Sequence, residues 1–424
     1  MWYNAGMGKL IELNDGLRLV VCENPAVRSV SAGIFVAAGA VNEIPEEAGI
    51  SHFIEHMVFK GTRRRSVFDV VNDIDSVGAQ INAYTSRAHT CYHTVSRDAH
   101  AAECLDVLAD IYLDPLFDED ALERERNVVI EEINEAEDTP DDLCVDRLFS
   151  AFFKGHPLGN NILGTKKSLA ALTSDSLRAY RRKFYTPART VVSVAGNITA
   201  EQAEELVKEK FASFAGESLP RVPLPSARHA SGAFTRRKKD IEQVHIALAF
   251  PGVAYGSKLH MAANIVSSAF ASEMSSRLFQ TVREKLGLCY GIYGYLSAYE
   301  NNGAYVIATS VSPANAERAA EAIRDEIRLL LKEGLTPAEL EKGREQLKTA
   351  LVLGQEKTSV TMMAQGRHAL MTGELYDIDA RLAELDRVTA EDAREAAETM
   401  FRPHCAAVSV VGRDPADISS VIRG

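Results

Sequence analysis

Apolar residues recur in two different rhythms along this chain. Short runs rich in β-branched and apolar residues, LRLVVCE (Leu17 to Glu23), VSAGIFVAAG (Val30 to Gly39) and HTCYHTVS (His89 to Ser96), predict strands in the first half. VHIALAFPG (Val244 to Gly252) and AYVIATSVS (Ala304 to Ser312) do the same in the second. AHAAECLDVLADIYL (Ala99 to Leu113) and NAERAAEAIRDEIRLLLKEG (Asn315 to Gly334) carry their apolar residues at helical spacing. Strands and helices do not alternate as regular βαβ units. The pattern therefore predicts α+β layers rather than a doubly wound parallel sheet.

The segment Ala215 to Phe234 has three prolines, Pro220, Pro223 and Pro225, and no apolar period, so it predicts an extended linker. It divides the chain nearly in half, and the two halves echo each other. FYTPARTVVSVAGN (Phe184 to Asn197) and MFRPHCAAVSVVGR (Met400 to Arg413) match at an offset of 216 through Pro187 and Pro403, Val192 and Val408, Ser193 and Ser409, Val194 and Val410, and Gly196 and Gly412. ALERER (Ala121 to Arg126) and ELEKGR (Glu339 to Arg344) match at an offset of 218. One unit of ~200 residues used twice is expected, a period longer than solenoid repeats show. The expected division is two homologous α/β-layered domains, residues 1–214 and 235–424, joined by a Pro-rich linker over 215–234.

Composition narrows the function classes. With 424 residues, 46% hydrophobic and 25% charged, the chain matches a globular protein of more than one domain. The balance of 47 basic and 59 acidic residues gives a formal charge of −12, which disfavours nucleic acid as a main partner. Six scattered cysteines without a C-x-x-C pair fit neither a disulfide framework nor a thiolate zinc site and read as reduced thiols. No signal-peptide pattern and no run of ~18 apolar residues occurs, so a cytoplasmic protein without a membrane partner is expected.

The strongest local signal is HFIEH, His52 to His56, within EEAGISHFIEHMVFKGT. On a helix His52 and His56 lie one turn apart on one face, so both imidazoles can reach one ion, with Glu55 close to it. That is the inverted order of the H-E-x-x-H zinc helix. Pro45, Glu46 and Glu47 supply a helix start and Gly61 a stop. The alternative is an amphipathic helix that carries two histidines without a metal. A catalytic zinc also needs a third protein ligand. The glutamate-rich LERERNVVIEEINEAED (Leu122 to Asp138) offers two adjacent candidates. Helical neighbours of Glu131 are mostly polar, whereas Glu132 is flanked by Val128, Val129 and Ala136, nearer the buried face. Glu125, two turns earlier, is placed to hold a histidine ligand by its other ring nitrogen. A solvated acidic face is the bland reading for this helix's other charges. No nucleotide-binding glycine motif occurs.

Taken together these segments resemble the pitrilysin-like inverzincin metallopeptidases, in the branch of mitochondrial processing peptidase and its short bacterial relatives. The likeness continues in NAYTS (Asn82 to Ser86), HPLGNNILGT (His156 to Thr165) and REKLGLCY (Arg283 to Tyr290), and 75 residues separate His56 from Glu132. It implies a duplicated metallohydrolase fold, zinc bound by His52, His56 and Glu132 at one ion per chain, and Glu55 activating the zinc-bound water. It implies that Asn82, Ala83 and Tyr84 lie on an edge strand that pairs with an extended substrate, the alternatives being a turn or a buried strand. In SRLFQTVREKLG (Ser276 to Gly287), Arg277 and Gln280 stand where His52 and Glu55 would, so the second half cannot bind zinc by the same chemistry. The resemblance implies that Arg283 and Tyr290 face the zinc across a chamber and contact the substrate carbonyl; a surface arginine and a core tyrosine are the bland reading. Ala88 stands where the family commonly has a glutamate. A zinc endopeptidase acting on peptides or unfolded polypeptide segments, and working as a homodimer, is expected. The alternative is a non-catalytic or heterodimer-dependent partner subunit of a processing-peptidase-like complex.

Overall fold

The apolar runs of the first half assemble into a mixed six-stranded sheet. In this computed structural model, which describes residues 8–216 and 223–424, its strands are β1 (Lys9–Glu12), β2 (Arg18–Glu23), β3 (Ser29–Val36), β4 (Gln80–Thr85), β5 (Thr90–Arg97) and β6 (Thr190–Gly196). They lie in the order β1-β2-β6-β3-β5-β4, with β2 and β6 parallel and every other pair antiparallel. Five strands of the second half, β7 (Ala233–Arg237), β8 (Val244–Pro251), β9 (Cys289–Ala298), β10 (Gly303–Val311) and β11 (Ala407–Gly412), follow the order β7-β11-β8-β10-β9. Here β7 and β11 are parallel and the other pairs antiparallel. Removing β1 from the first sheet leaves the same topology twice, so the fold is α+β and duplicated. The echoing strands β6 and β11 occupy equivalent interior places: Val192 and Val194 stand opposite Ile34 and Ala32, Val408 and Val410 opposite Leu248 and Ile246.

Strand β6 is buried along its whole length because both of its faces are covered. Val192 and Val194 enter the first unit's main core with Ile34, Phe53 and Leu108. Val191 and Ala195, pointing the other way, meet Met362, Ala369 and Leu370. Those last three come from near the far end of the chain. Five helices bear on these sheets and on the site: α1 (Ile50–Val58), α2 (Glu119–Asp138), α3 (Pro140–Phe152), α4 (Pro337–Gly354) and α5 (Thr358–Thr372).

The compact units therefore depart from the linear division into 1–214 and 235–424. Asn134–Gly159, which includes α3, belongs to the second unit, and Val352–Asp377, which includes α5, belongs to the first. The two transferred segments are offset by 218 residues at both ends, 134 to 352 and 159 to 377, the same offset as the ALERER and ELEKGR echo. In the first unit α5 lies flush on β3. A Cβ at Gly366 would sit 2.1 Å from a ring carbon of Phe35, so only glycine permits this approach. Thr358 Oγ1 also lies 2.9 Å from Ser31 Oγ at the start of the same helix. In the second unit α3 packs on β8 and β11, and the buried Cys144 thiol donates to the Ser409 carbonyl at 3.3 Å. A buried apolar face explains each contact; its sheet partner is not encoded in helical periodicity.

Residues 223–232 of the linker form no helix or strand, and its residues 217–222 lie outside the described residues. All six cysteines are free thiols. Among the described residues no helix is long and apolar enough to cross a membrane.

Candidate metal centre

Helix α1 has two interleaved faces. Ile50, Phe53, Ile54, Met57 and Val58 are buried at helical spacing and fix the helix against the core. His52, Glu55 and His56 form the adjacent half-buried stripe. The helix begins later than Pro45, Glu46 and Glu47 suggest: these form a separate 3₁₀ turn, and α1 starts after Gly49, whose φ of 90° breaks the chain direction. The anionic cap comes instead from Glu43, whose buried carboxylate accepts from Gly49 N at 2.7 Å and Ser51 N at 3.0 Å. This binds two backbone N–H groups at the helix start and complements the dipole there. Burial pushes the Glu43 carboxyl up to about 7 against the opposing pull of those N–H groups.

Across from α1 runs α2. Leu122, Glu125, Val129 and Ile133 define its buried side, while Glu132 is half-buried and Glu131 exposed. His52 Nε2 lies 3.6 Å from Glu132 Oε2, and His56 Nε2 lies 3.4 Å from Glu132 Oε1. Ligand atoms of His52, His56 and Glu132 all lie within 4.8 Å of one another, and among the described residues no other group of three His, Cys, Asp or Glu side chains gathers this way. Two ligands held ~2.05 Å from a tetrahedral ion stand ~3.3 Å apart, and the two histidine-to-glutamate separations are close to that. Two nitrogens and one carboxylate oxygen also match the donor set of catalytic zinc sites and leave a coordination position open.

The surrounding groups favour the required protonation states. Burial, helped by neighbouring His56, pushes the His52 ring down to about 3, so it is neutral at pH 7 and offers a lone pair. His56 Nδ1 stands 3.3 Å from Glu125 Oε2, and a proton on that nitrogen leaves Nε2 free toward Glu132. Glu125 is held in turn by Lys60, whose ammonium lies 2.6 Å from its other oxygen. His52 Nδ1, by contrast, is buried without a hydrogen-bond partner among the described residues. Burial raises the Glu55 carboxyl above its ordinary range, opposed by a hydrogen bond that Thr85 donates at 2.5 Å.

Asn82, Ala83 and Tyr84 lie on β4, the terminal strand of the first sheet, which among the described residues pairs with β5 alone. The Ala83 N–H donates to the side-chain oxygen of its neighbour Asn82 at 2.8 Å. Tyr84 points to the face opposite Ala83, where its hydroxyl meets His89 Nε2 at 3.1 Å. His89 is thus committed within its hairpin. In the second unit Arg277, which stands where His52 does in the first half, makes a two-pronged ion pair with Glu339, both contacts at 2.6 Å. Arg283 extends its guanidinium over the ring of Tyr290, 5.7 Å from the centroid, and Tyr290 is 84% exposed. The exposure of Tyr290 is the reverse of a core tyrosine.

Sequence reasoning missed Glu43, Lys60 and Thr85. Strand alternation places Thr85 on the same face as Ile81 and Ala83, both of which pack against the main core, so its direction was readable but not its partner.

A duplicated α+β unit with a His₂Glu cluster in one copy and an arginine ion pair in the other is the architecture of a two-domain metallopeptidase fold. Residues 18–166 match the family described as Insulinase (Peptidase family M16), and residues 171–347 match the Peptidase M16 inactive domain. The chain belongs to peptidase family M16. It is 39% identical over 395 residues to the uncharacterized zinc protease YmxG of Bacillus subtilis, covering 93% of this chain and 96% of that protein. An uncharacterized zinc protease of Streptomyces coelicolor is 34% identical over 419 residues, covering 97% and 90%. In fold it is similar to the crystal structure of a protease from Helicobacter pylori, with a TM-score of 0.89 at 20% identity over 96% of this chain and 99% of that one. A peptidase M16 inactive domain from Pseudomonas fluorescens also gives 0.89, at 17% identity, covering 96% and 98%.

Proposed function

We propose that this protein is a zinc-dependent endopeptidase that hydrolyses peptides or unfolded polypeptide segments, with Glu55 as general base. The observation that carries this reading is the convergence of ligand atoms of His52, His56 and Glu132 within 4.8 Å of one another, with the Glu55 carboxylate on the same helical stripe as the histidines. The names of the relatives, zinc proteases in Bacillus and Streptomyces, support it. A zinc ion in this cluster would lower the pKa of a coordinated water towards ~7 and polarise a peptide carbonyl. Glu55 takes the proton of the attacking water and delivers it to the departing amine. The free side of β4 adds an extended substrate strand, which first displaces the Asn82 side chain from the Ala83 N–H. Folded proteins, whose backbones are already paired, lack a strand to offer. The reading is tested by zinc quantification together with mass spectrometry of a peptide-library digest. One zinc per chain and defined internal cleavages are expected; a metal-replete protein that cuts nothing would overturn it.

Glu132 is the only anionic member of the ligand set, so Glu132→Gln is expected to lower zinc retention. Metal content after mild chelation measures this. Unaltered stoichiometry would assign the third position to another group, such as Glu131.

Arg283 and Tyr290 are assigned to the substrate carbonyl and the oxyanion that develops from it. The family resemblance supports this, as do the mutual approach of the two side chains and the exposure of the phenol. Arg283→Ala or Tyr290→Phe should reduce kcat/KM without loss of zinc. Removing one such donor typically costs about 2.7–4 kcal/mol of transition-state stabilisation. Wild-type efficiency in both variants would leave them a surface pair without a part in the reaction.

A further inference from the structure

The geometry points to Thr85 as the positioning residue of the general base, backed by Thr90 on the neighbouring strand. This rests on the reading of Glu55 given above. Thr85 ends the edge strand β4 and donates to Glu55 Oε2 at 2.5 Å. Thr90 begins the neighbouring strand β5, opposite Thr85 in register, and its hydroxyl is fully buried. Thr90 donates to the Ala38 carbonyl at 3.0 Å, and the two threonine oxygens stand 3.3 Å apart.

The donated bond limits rotation of the Glu55 carboxyl, and Thr90, itself held by the Ala38 carbonyl, sets its oxygen against that of Thr85 from the neighbouring strand.

The same hydrogen bond couples two parts of the site. Ala83, two residues before Thr85, presents the N–H to which an extended peptide would pair, so the strand that positions substrate also positions the base. Thr85 touches neither the ligand atoms nor the peptide in this scheme. It acts through Glu55.

The test compares Thr85→Val, which keeps the β-branched shape and removes the hydroxyl, with Thr85→Ser, which keeps the hydroxyl, in the full zinc-loaded chain on one peptide substrate. Thr85→Val is expected to lower kcat roughly tenfold to a hundredfold, the range for losing a hydrogen bond to a charged group, with KM and zinc content unchanged. Thr85→Ser should restore kcat to within a few-fold of wild type. A role confined to strand packing predicts the opposite order, with Val tolerated and Ser impaired. If Val does not fold, Thr85→Ala removes the same hydroxyl without retaining the methyl contacts and is read the same way. A kcat within twofold of wild type in a folded Val or Ala variant overturns the assignment while leaving Glu55 as base. An inactive wild-type chain with zinc bound overturns the underlying reading instead.

Discussion

Glu55→Gln is expected to remove nearly all peptidase activity while leaving the metal in place. Glutamine keeps the length and planar shape of the side chain, and its carbonyl can still accept from Thr85. Its amide nitrogen has no basic lone pair to take the proton of the attacking water. Loss of a positioned general base typically costs a factor of ~10²–10⁴ in rate. Glu55 makes no contact that defines the ligand cluster, so zinc per chain and thermal stability should stay close to wild type. Single-turnover cleavage of a peptide, measured beside metal content, separates the two outcomes. Near-normal turnover with zinc bound would remove Glu55 from the chemistry.

The second large effect concerns folding. A fragment ending at residue 216 contains all six strands of the first sheet but lacks Val352–Asp377, the segment that covers one of its faces. Val20, Phe35, Ala37, Cys91, Val191 and Ala195, all buried beneath that segment, would then face water. Burying one large apolar side chain contributes roughly 1.5–3 kcal/mol, so uncovering this face removes an amount comparable with the whole net stability of a domain, about 5–15 kcal/mol. The fragment is expected to aggregate or to bind a hydrophobic dye. Supplying residues 352–377 in trans should raise its soluble yield and suppress the dye signal. A fragment that is soluble, cooperative in unfolding and dye-silent on its own would show that the covering helix is dispensable.

Particular residues show what could be read in advance. The spacing of His52, Glu55 and His56 needed only the helical repeat. The preference for Glu132 over Glu131 followed from Val129 and its neighbours, and α2 turns the two carboxylates in those senses, one half-buried and one exposed. The duplication was visible because β6 and β11 fill equivalent places in sheets of one topology, which keeps their apolar patterns alike. Three partners were not readable. Glu43 caps α1 across an intervening 3₁₀ turn, Lys60 reaches Glu125 on another helix, and Thr85 reaches Glu55 from the end of a strand. Each contact joins separate elements, and a periodic pattern states which side of an element is buried, not what it meets. The transferred helices α3 and α5 follow the same logic at larger scale. Their apolar faces demand cover, and the identity of the covering sheet is a property of the whole chain.

That transfer sets an order of events during synthesis. The first unit's strands are complete once residue 196 has been made, but its missing helix follows only after another 150 or so residues. At ~5–20 residues per second, the nascent sheet waits on the order of ten seconds with one face unprotected. The ribosome thus delivers a half-finished domain that cannot close early, and the interval is open to chaperones that shield apolar surface. The first unit, with its cluster of histidines and glutamate, can become a finished structure only when most of the second half has already been translated.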